Sequence, residues 1–300
     1  MLRKKREAMT GRFNGRCLLC LLLLYGTARA GSVVINEVLT RADAPLEDAI
    51  ELYNPTDLDV SIGGWYLTDR QSTPTKYRIP DGTVISAKGF RVFYQSQYNS
   101  AFSLDGDGEE VFLFGANASG VLTGYSHGFA FEASEAGVSF GRHVNSAGKE
   151  SFSAQLNRSL GFENTGPFVG PVVISEIMYN PSADGDEYVE LRNITPSPVS
   201  LFDLNNPSNT WKLSGTGFDF PPNTQIGGDG LALVVSIDPA VFRVKYGVPD
   251  GVPVLGPFSG GLDNAGERLE LKRPAAPVQD PLTGALTIPY IVVDMVDYDD

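Results

Sequence analysis

Hydrophobic residues from position 33 onward form short runs at roughly ten-residue intervals, separated by glycine, proline, asparagine and aspartate. In residues 49–53 (AIELY), Ile50 and Leu52 alternate with glutamate and tyrosine, which places the two aliphatic side chains on one face of a strand. The spacing of an amphipathic helix is nearly absent. The pattern predicts an all-β protein built from β-sandwiches.

The hydrophobic runs of the first half predict a series of strands. They cover residues 33–39, 49–53, 60–62, 65–67, 77–79, 84–85, 90–94 and 110–114, with residues 137–142 as the last strand. Trp65 follows a double glycine that allows a turn, and its indole is a large candidate for the core. Trp211 stands at the matching place in the second half, so we expect both side chains to be buried in equivalent positions.

A motif of the first half returns 139 positions later. Residues 33–39 (VVINEVL) and 50–54 (IELYN) correspond to residues 172–178 (VVISEIM) and 189–193 (VELRN). The offset pairs Glu37 with Glu176, Glu51 with Glu190 and Asn54 with Asn193. An ungapped return over about thirty residues is typical of a duplicated structural unit.

The repeat predicts two sandwiches, at residues 31–155 and 172–300, and a chain of 300 residues is long enough for two cores. Residues 156–171 are polar and interrupted by glycine and proline, so we expect a linker with few contacts crossing between the sandwiches. Nothing before residue 300 matches the strand at residues 137–142. We therefore expect either that the sequence is cut inside the second sandwich or that a longer protein, which could carry further domains, continues beyond residue 300.

Residues 1–30 differ in kind from the rest. Basic residues precede an apolar run at residues 17–24 (CLLCLLLL), and residues 28–30 (ARA) supply small side chains for cleavage. This arrangement predicts a secretory signal peptide. The run is shorter than the roughly 20 residues of a permanent membrane span. We expect an exported protein, secreted or at the cell surface, with no membrane insertion after signal cleavage.

Signal cleavage changes the charge of the chain. Residues 1–30 hold seven basic side chains and one acidic side chain, so 16 of 23 Lys and Arg and 35 of 36 Asp and Glu remain, a net charge of −19. Such a surface repels phosphate backbones, which argues against nucleic-acid binding. Both cysteines also leave with the signal, so no disulfide and no cysteine metal site is expected.

Several short motifs occur in the same order in both halves. In the first half they are the opening VINEV, the E-L-x-N strand at residues 51–54, the G-W-x-L turn at 64–67, the P-D-G-T-x-I turn at 80–85 and the D-G-E at 107–109. With these motifs, residues 33–155 and 172–300 resemble the lamin-tail domain family. The resemblance implies an immunoglobulin-like β-sandwich. For secreted bacterial members it implies a non-catalytic module appended to larger surface or exported proteins.

The repeated carboxylates Glu37, Glu51, Glu176 and Glu190 are the candidate functional residues. Glycoside hydrolysis uses a pair of carboxylates, and such a pair can also bind a ligand or an ion. The duplication favours a structural role, because two active sites of identical layout in tandem are less common than a repeated feature of a scaffold. No catalytic residue and no metal ligand is predicted.

Residues 137–141 (GVSFG) match the G-x-S-x-G elbow of serine hydrolases, with His143 close by. An elbow requires a strand, a sharp turn and a helix, with the acid and histidine downstream. Val138 and Phe140 instead alternate as in a plain strand. We therefore do not expect Ser139 to be a nucleophile.

Two acidic turns, residues 105–110 (DGDGEE) and 184–187 (DGDE), suggest calcium. The first is not an EF-hand loop, because its sixth position is Glu110 rather than glycine. Solvated hairpin tips are favoured, with a weak calcium site as the alternative. His127 and His143 are the only histidines, which excludes a histidine-rich zinc site. No cofactor is predicted.

Two functions are compatible with these features. The favoured one is an exported, non-enzymatic module that acts in binding, display or spacing, with an unknown surface protein or glycan as partner. The alternative is an accessory region of a larger extracellular enzyme, a hydrolase or kinase-like protein, whose catalytic domain lies beyond residue 300.

Overall fold

A computed structural model describes residues 33–146, 148–279 and 283–299. The predicted signal peptide, residues 1–30, lies outside these residues. The described part of the chain consists mostly of strands with two short helices, which confirms the predicted all-β class. Among the described residues, no helix is both long and apolar enough to cross a membrane.

The first half folds into a sandwich of two sheets. Its elements are β1 (Val34–Leu39), β2 (Ala49–Tyr53), β3 (Val60–Ser61), β4 (Tyr66–Thr68), β5 (Tyr77–Arg78), β6 (Val84–Ile85), β7 (Phe90–Tyr94), α1 (Gln95–Tyr98), β8 (Gly108–Ala116), β9 (Leu122–Glu132), β10 (Phe140–Val144) and β11 (Glu150–Ala154). One sheet has the order β11-β10-β1-β2-β7 and the other β5-β4-β8-β9, with β3 and β6 as a separate pair. Ile35 and Val38 of the first sheet share one core with Val111 and Leu113 of the second.

The second half forms another sandwich with its own core. Its elements are β12 (Val172–Met178), β13 (Tyr188–Asn193), β14 (Val199–Ser200), β15 (Lys212–Ser214), β16 (Phe218–Asp219), β17 (Gln225–Ile226), β18 (Leu231–Val235), α2 (Pro239–Tyr246), β19 (Val254–Leu255), β20 (Gly266–Pro274), β21 (Val278–Gln279), β22 (Leu286–Thr287) and β23 (Tyr290–Asp299). The main sheets have the orders β12-β13-β18-β19 and β16-β15-β20-β23, with β14-β17 and β21-β22 as short pairs. Leu191, Trp211 and Leu271 belong to its core.

Two strands of the first sandwich differ from the sequence prediction. β9 was not predicted, because it contains glycines at 124 and 128 and its residues are mostly exposed or half-exposed, which hides the alternation of a buried strand. The strand predicted at residues 137–142 begins at Phe140 instead, and it is not the last, because β11 pairs with it.

Helix α2 was also missing from the prediction. The carboxylate of Asp238 accepts hydrogen bonds from the backbone N–H groups of Ala240 and Val241, Pro239 occupies the first turn, and Gly247 ends the helix with a φ of 64°. These are ordinary start and stop signals. They were present in the sequence, but one short helix leaves little hydrophobic periodicity.

The two sandwiches share a bulge at the start of their first strands. The register between β1 and β2 shifts between Ile35 and Glu37, and the register between β12 and β13 shifts between Ile174 and Glu176. In each case the opposite sheet satisfies the amide freed by the bulge. The N–H of Ile35 donates to His127 Nδ1 at 3.0 Å.

The counterpart in the second sandwich is a carboxylate, because Ile174 N donates to Asp294 Oδ2 at 2.7 Å. In the first sandwich His127 accepts through Nδ1, so its hydrogen lies on Nε2, which is 3.1 Å from Glu150 Oε2. Burial lowers the pKa of His127, which agrees with a neutral ring.

A buried asparagine joins the sheets at the end of β2. Asn54 Nδ2 donates to the carbonyl oxygens of Leu58, Ile85 and Ser86 at 2.8, 3.1 and 3.0 Å. Its Oδ1 accepts from both the backbone N–H and the hydroxyl of Thr56, at 3.0 and 2.7 Å. One fully buried side chain thus ties β2 to the loop before β3 and to the end of β6.

The second sandwich repeats this arrangement. Asn193 Nδ2 donates to the carbonyls of Ser197, Ile226 and Gly227 at 2.8, 3.2 and 2.9 Å. Its Oδ1 accepts from the N–H and hydroxyl of Thr195, at 2.9 and 2.8 Å. The side chain is fully buried, as in the first sandwich.

The segment expected to be a linker is bound to the first sandwich. Phe168 N donates to Ala154 O at 2.7 Å and Leu156 N to Gly166 O at 3.0 Å, so residues 156–168 fold back on β11.

Contacts also cross between the sandwiches, where few were expected. Lys272 Nζ lies 2.9 Å from Glu132 Oε1, and Ala133 N donates to Tyr290 O at 3.1 Å. Arg273 pairs with Glu135. The partners are more than 130 positions apart, so no local sequence pattern could reveal them.

Both tryptophans are 5% exposed, which confirms the predicted burial at equivalent positions. Trp65→Ala should lower the free energy of unfolding by about 3–5 kcal/mol, because truncation leaves a cavity in the first core. Urea denaturation followed by circular dichroism measures this. Trp65→Phe is the control and should lose clearly less, while a loss below about 1 kcal/mol for alanine would contradict the assignment of the indole to the core.

Asn54→Ala and Asn193→Ala should each lower the free energy of unfolding by about 2–3 kcal/mol, because each removes a buried amide that donates to three carbonyls, two of which have a second donor in a threonine hydroxyl or a backbone N–H. The same denaturation measurement applies. Thr56→Val and Thr195→Val remove a hydroxyl that contacts the asparagine Oδ1 and one neighbouring carbonyl, that of Leu58 or Ser197, and should cost about 1 kcal/mol. Equal, small losses in all four variants would show that the asparagines do not hold the sheets.

Candidate functional site

The bulge in β1 brings Glu37 directly opposite Glu51 of β2. β2 alternates, with Ile50 and Leu52 in the core and Glu51 on the other face of the sheet. Both carboxylates would therefore face solvent if the sheet were bare. Both are nevertheless fully buried, with an exposed fraction of 0%.

The connecting segment covers the two carboxylates. The backbone N–H of Ser159 donates to Glu37 Oε1 at 2.9 Å, and its hydroxyl donates to Glu37 Oε2 at 2.7 Å. Two residues later, the N–H of Gly161 donates to Glu51 Oε2. The segment thus supplies donors to both members of the pair.

Three polar side chains complete the cluster. Ser139 Oγ donates to Glu37 Oε1 at 2.6 Å, and Asn36 Nδ2 donates to Glu51 Oε1 at 2.8 Å. Asn164 Nδ2 donates to Asn36 O at 3.1 Å and so ties the segment to β1. The four carboxylate oxygens each accept at least one hydrogen bond, which is the usual state of buried polar groups.

Burial raises the pKa of Glu51 to about 7, and the nearby charge of Glu37 acts in the same direction. The hydrogen bonds from Gly161 and Asn36 act in the opposite direction but are outweighed. Glu51 therefore takes up a proton near neutral pH, within a cluster closed to solvent.

The second pair is built differently. Glu176 and Glu190 are again direct neighbours across β12 and β13, but Glu176 is exposed and Glu190 is half-exposed. Tyr188 Oη donates to Glu176 Oε1 at 2.5 Å, and Ser175 Oγ donates to Glu190 Oε1 at 2.8 Å. The structure thus brings together each predicted pair but covers only the first.

Ser139 is not arranged as a nucleophile. It is 1% exposed, precedes strand β10 rather than a helix, and directs its hydroxyl to Glu37. Among the described residues, His143 Nε2 has no hydrogen-bond partner.

Acidic side chains of both turns contact other residues of the chain. In the first, Asp107 pairs with Arg41 and Glu110 Oε1 accepts from Gln71 N at 2.6 Å. In the second, Asp186 pairs with Lys245. Across the residues that the structure describes, no group of three or more His, Cys, Asp or Glu side chains could hold a metal ion.

A cavity of about 380 Å³ lies between the sandwiches. Phe140 and Ala154 line it from the first sandwich, Phe168 from the connecting segment and Val293 from the second sandwich. Its walls are mostly apolar, with the side chain of Arg273 among them. No local sequence pattern predicts this cavity, because its walls come from segments about 150 positions apart.

The raised pKa of Glu51 predicts a pH-dependent stability. Its contribution to the free energy of unfolding is full below the ordinary value of 4.5 and is lost as pH rises through about 7. The pKa difference between 4.5 and about 7 corresponds to a change of about 3 kcal/mol in the free energy of unfolding. Unfolding of the wild type and of Glu51→Gln should be compared between pH 5 and 8.

The glutamine cannot ionise, so any fixed cost of the substitution is independent of pH. The stability advantage of the wild type over Glu51→Gln should therefore shrink as pH rises. A difference between the two proteins that stays constant across this range would contradict the raised pKa.

Comparison with known proteins agrees with the sequence motifs in the first sandwich. The family model described as Lamin Tail Domain matches residues 27–127, which include β1 to β8 and Trp65. No curated protein and no solved structure gave a match. Residues 27–127 of this chain are thus similar to the lamin tail domain, a family of immunoglobulin-like fold.

Proposed function

We propose that the chain is an exported, non-catalytic module of two lamin-tail-like domains that acts in binding, display or spacing at the cell surface or outside the cell. The observation that carries the proposal is the burial of the Glu37–Glu51 pair under the connecting segment. These carboxylates are fully buried, and their hydrogen bonds hold the connecting segment to the first sandwich. A glycosidase would have to present such a pair to its substrate.

Two observations support a second lamin-tail-like domain. The sheets of the second half repeat the order of the first, with β12-β13-β18 in place of β1-β2-β7 and β16-β15-β20-β23 in place of β5-β4-β8-β9. Asn193 also makes the same set of five hydrogen bonds as Asn54. A duplicated unit accounts for both.

The export part of the proposal rests on residues 1–30, whose basic, apolar and small-residue regions follow each other as in a signal peptide. After cleavage the net charge of −19 favours a surface protein or glycan as partner over a nucleic acid.

The cavity between the sandwiches is a candidate ligand position. Its mostly apolar walls suit an apolar group, and its one guanidinium, that of Arg273, is paired with Glu135, which also lines the cavity. The contacts of Lys272 with Glu132 and of Arg273 with Glu135 hold the two walls in a fixed relation, which also suits a spacer.

The purified chain should show no turnover of esterase, glycosidase, phosphatase or nuclease substrates. Glu37→Gln, Glu51→Gln and Ser139→Ala serve as controls, because they remove the two carboxylates and the hydroxyl that could act as acid, base or nucleophile. Turnover by the wild type that disappears in any of the three variants would overturn the non-catalytic proposal.

Expression of two forms of the chain tests export. A chain that begins at residue 1 should be recovered outside the cytoplasm with Gly31 at its new N-terminus, whereas a chain that begins at residue 31 should stay inside the cell. Recovery of uncleaved chain in the cytoplasm would count against the signal peptide.

A further inference from the structure

Glu37 and Glu51 form a carboxylate pair with no cation beside it. The two side chains stand directly opposite each other and are fully buried. Among the ion pairs of the described residues, none includes either glutamate. Two like charges this close in a site closed to water repel each other, so a proton on one of them is favoured. The raised pKa of Glu51 agrees with this arrangement.

The strands around Glu51 supply no positive charge. β1 faces it with Glu37, the one charged side chain that contributes to its raised pKa, and β7 faces it with Val92. Farther along the same face of these strands and of β10, the titratable side chains are those of Tyr53, Tyr94 and His143. Burial lowers the pKa of His143, so its ring is neutral near pH 7. The charge of the pair is therefore reduced by protonation of one carboxyl group.

The connecting segment covers the pair with uncharged donors. Ser159 contributes its backbone N–H and its hydroxyl to Glu37, and Gly161 contributes its N–H to Glu51. The charged side chains of the segment, those of Arg158 and Glu163, are exposed. The segment thus keeps water from the carboxylates without neutralising them, so its closure depends on the proton.

The segment is the part of this cluster that can open alone. β1 is paired on both sides, with β2 and β10, and β2 is paired with β1 and β7. In the segment, residues 156–158 and 161–163 are exposed. Exposed stretches with few buried contacts open at a lower free energy than central strands. Opening hydrates Glu51 and returns its pKa towards the ordinary value of 4.5, so the open form binds the proton more weakly and is favoured as pH rises.

We propose that the connecting segment, residues 156–168, is a pH-sensitive lid over Glu37 and Glu51. The lid is closed while the pair holds a proton, and it opens locally when that proton is lost, with the strands of the first sandwich still paired. Leu156 and Phe168 of the lid also line the cavity between the sandwiches. Opening therefore exposes two carboxylates and removes apolar wall from the cavity. This device goes beyond the proposed function and requires no partner.

Hydrogen exchange measured by NMR on the full chain tests the proposal. The N–H groups of Ser159, Gly161 and Phe162 report on the lid, and those of β1 and β2 report on the sheet. After correction for the pH dependence of the chemical exchange step, lid protection should fall roughly twentyfold between pH 5.5 and 7.5, given pKa values of 4.5 and about 7. The lid should exchange at least about a hundredfold faster than the strands throughout, which marks a local opening.

Three variants separate the role of the proton from the other contacts of the lid. Glu51→Gln cannot ionise, so the protection of its lid should not depend on pH. Glu37→Gln removes the charge that favours the proton on Glu51, so the fall in protection should move to lower pH. Ser159→Ala is the matched control outside the pair, because it removes one hydroxyl donor. It should lower lid protection by the same factor at every pH.

Three outcomes would overturn the proposal. The first is lid protection in the wild type that is constant with pH. The second is an equal fall in the wild type and in Glu51→Gln, which would mean that another group titrates. The third is equal protection of the lid and the strands, which would mean that the segment leaves only when the whole sandwich unfolds. These readouts involve neither turnover nor export, so their failure is distinguishable from a failure of the proposed function.

Discussion

The buried asparagine at the end of the second strand is the contact on which each sandwich depends. The short β3-β6 pair and its counterpart β14-β17 each contribute two residues per strand to a ladder, which is too little to hold them in place. Asn54 and Asn193 each supply donors to three carbonyls around these pairs and accept from a following threonine. A single buried amide thereby holds each short strand pair to the second strand of its sandwich, because buried polar groups without a partner are costly.

The strands with alternating or continuous hydrophobic runs could be predicted from the sequence, as β1, β2, β7 and β18 show. β9 and β23 could not, because most residues of each strand are exposed or half-exposed and its polar and apolar residues are mixed. The longest strands of the fold were therefore among the hardest to recognise.

The candidate site was predicted in part. The repeat identified Glu37 and Glu51 and favoured a structural role, and their position opposite each other follows from the pairing of β1 with β2. Their burial depends on Ser159 and Gly161, more than 100 positions away. Such contacts are set by tertiary packing, which no local pattern contains. The connecting segment therefore has a polar composition for two reasons, since it meets water on one side and carboxylates on the other.

The hydrogen bonds that the Asn193 amide donates have a consequence for producing the protein in a eukaryotic host. Residues 193–195 (NIT) form an N-glycosylation acceptor, and the modifying enzyme attaches its sugar to the same Nδ2 that donates to Ser197, Ile226 and Gly227. A glycan there would remove donors and place a bulky group in a fully buried position. The Asn193 side chain therefore cannot both carry an oligosaccharide and occupy its buried position in the folded second sandwich.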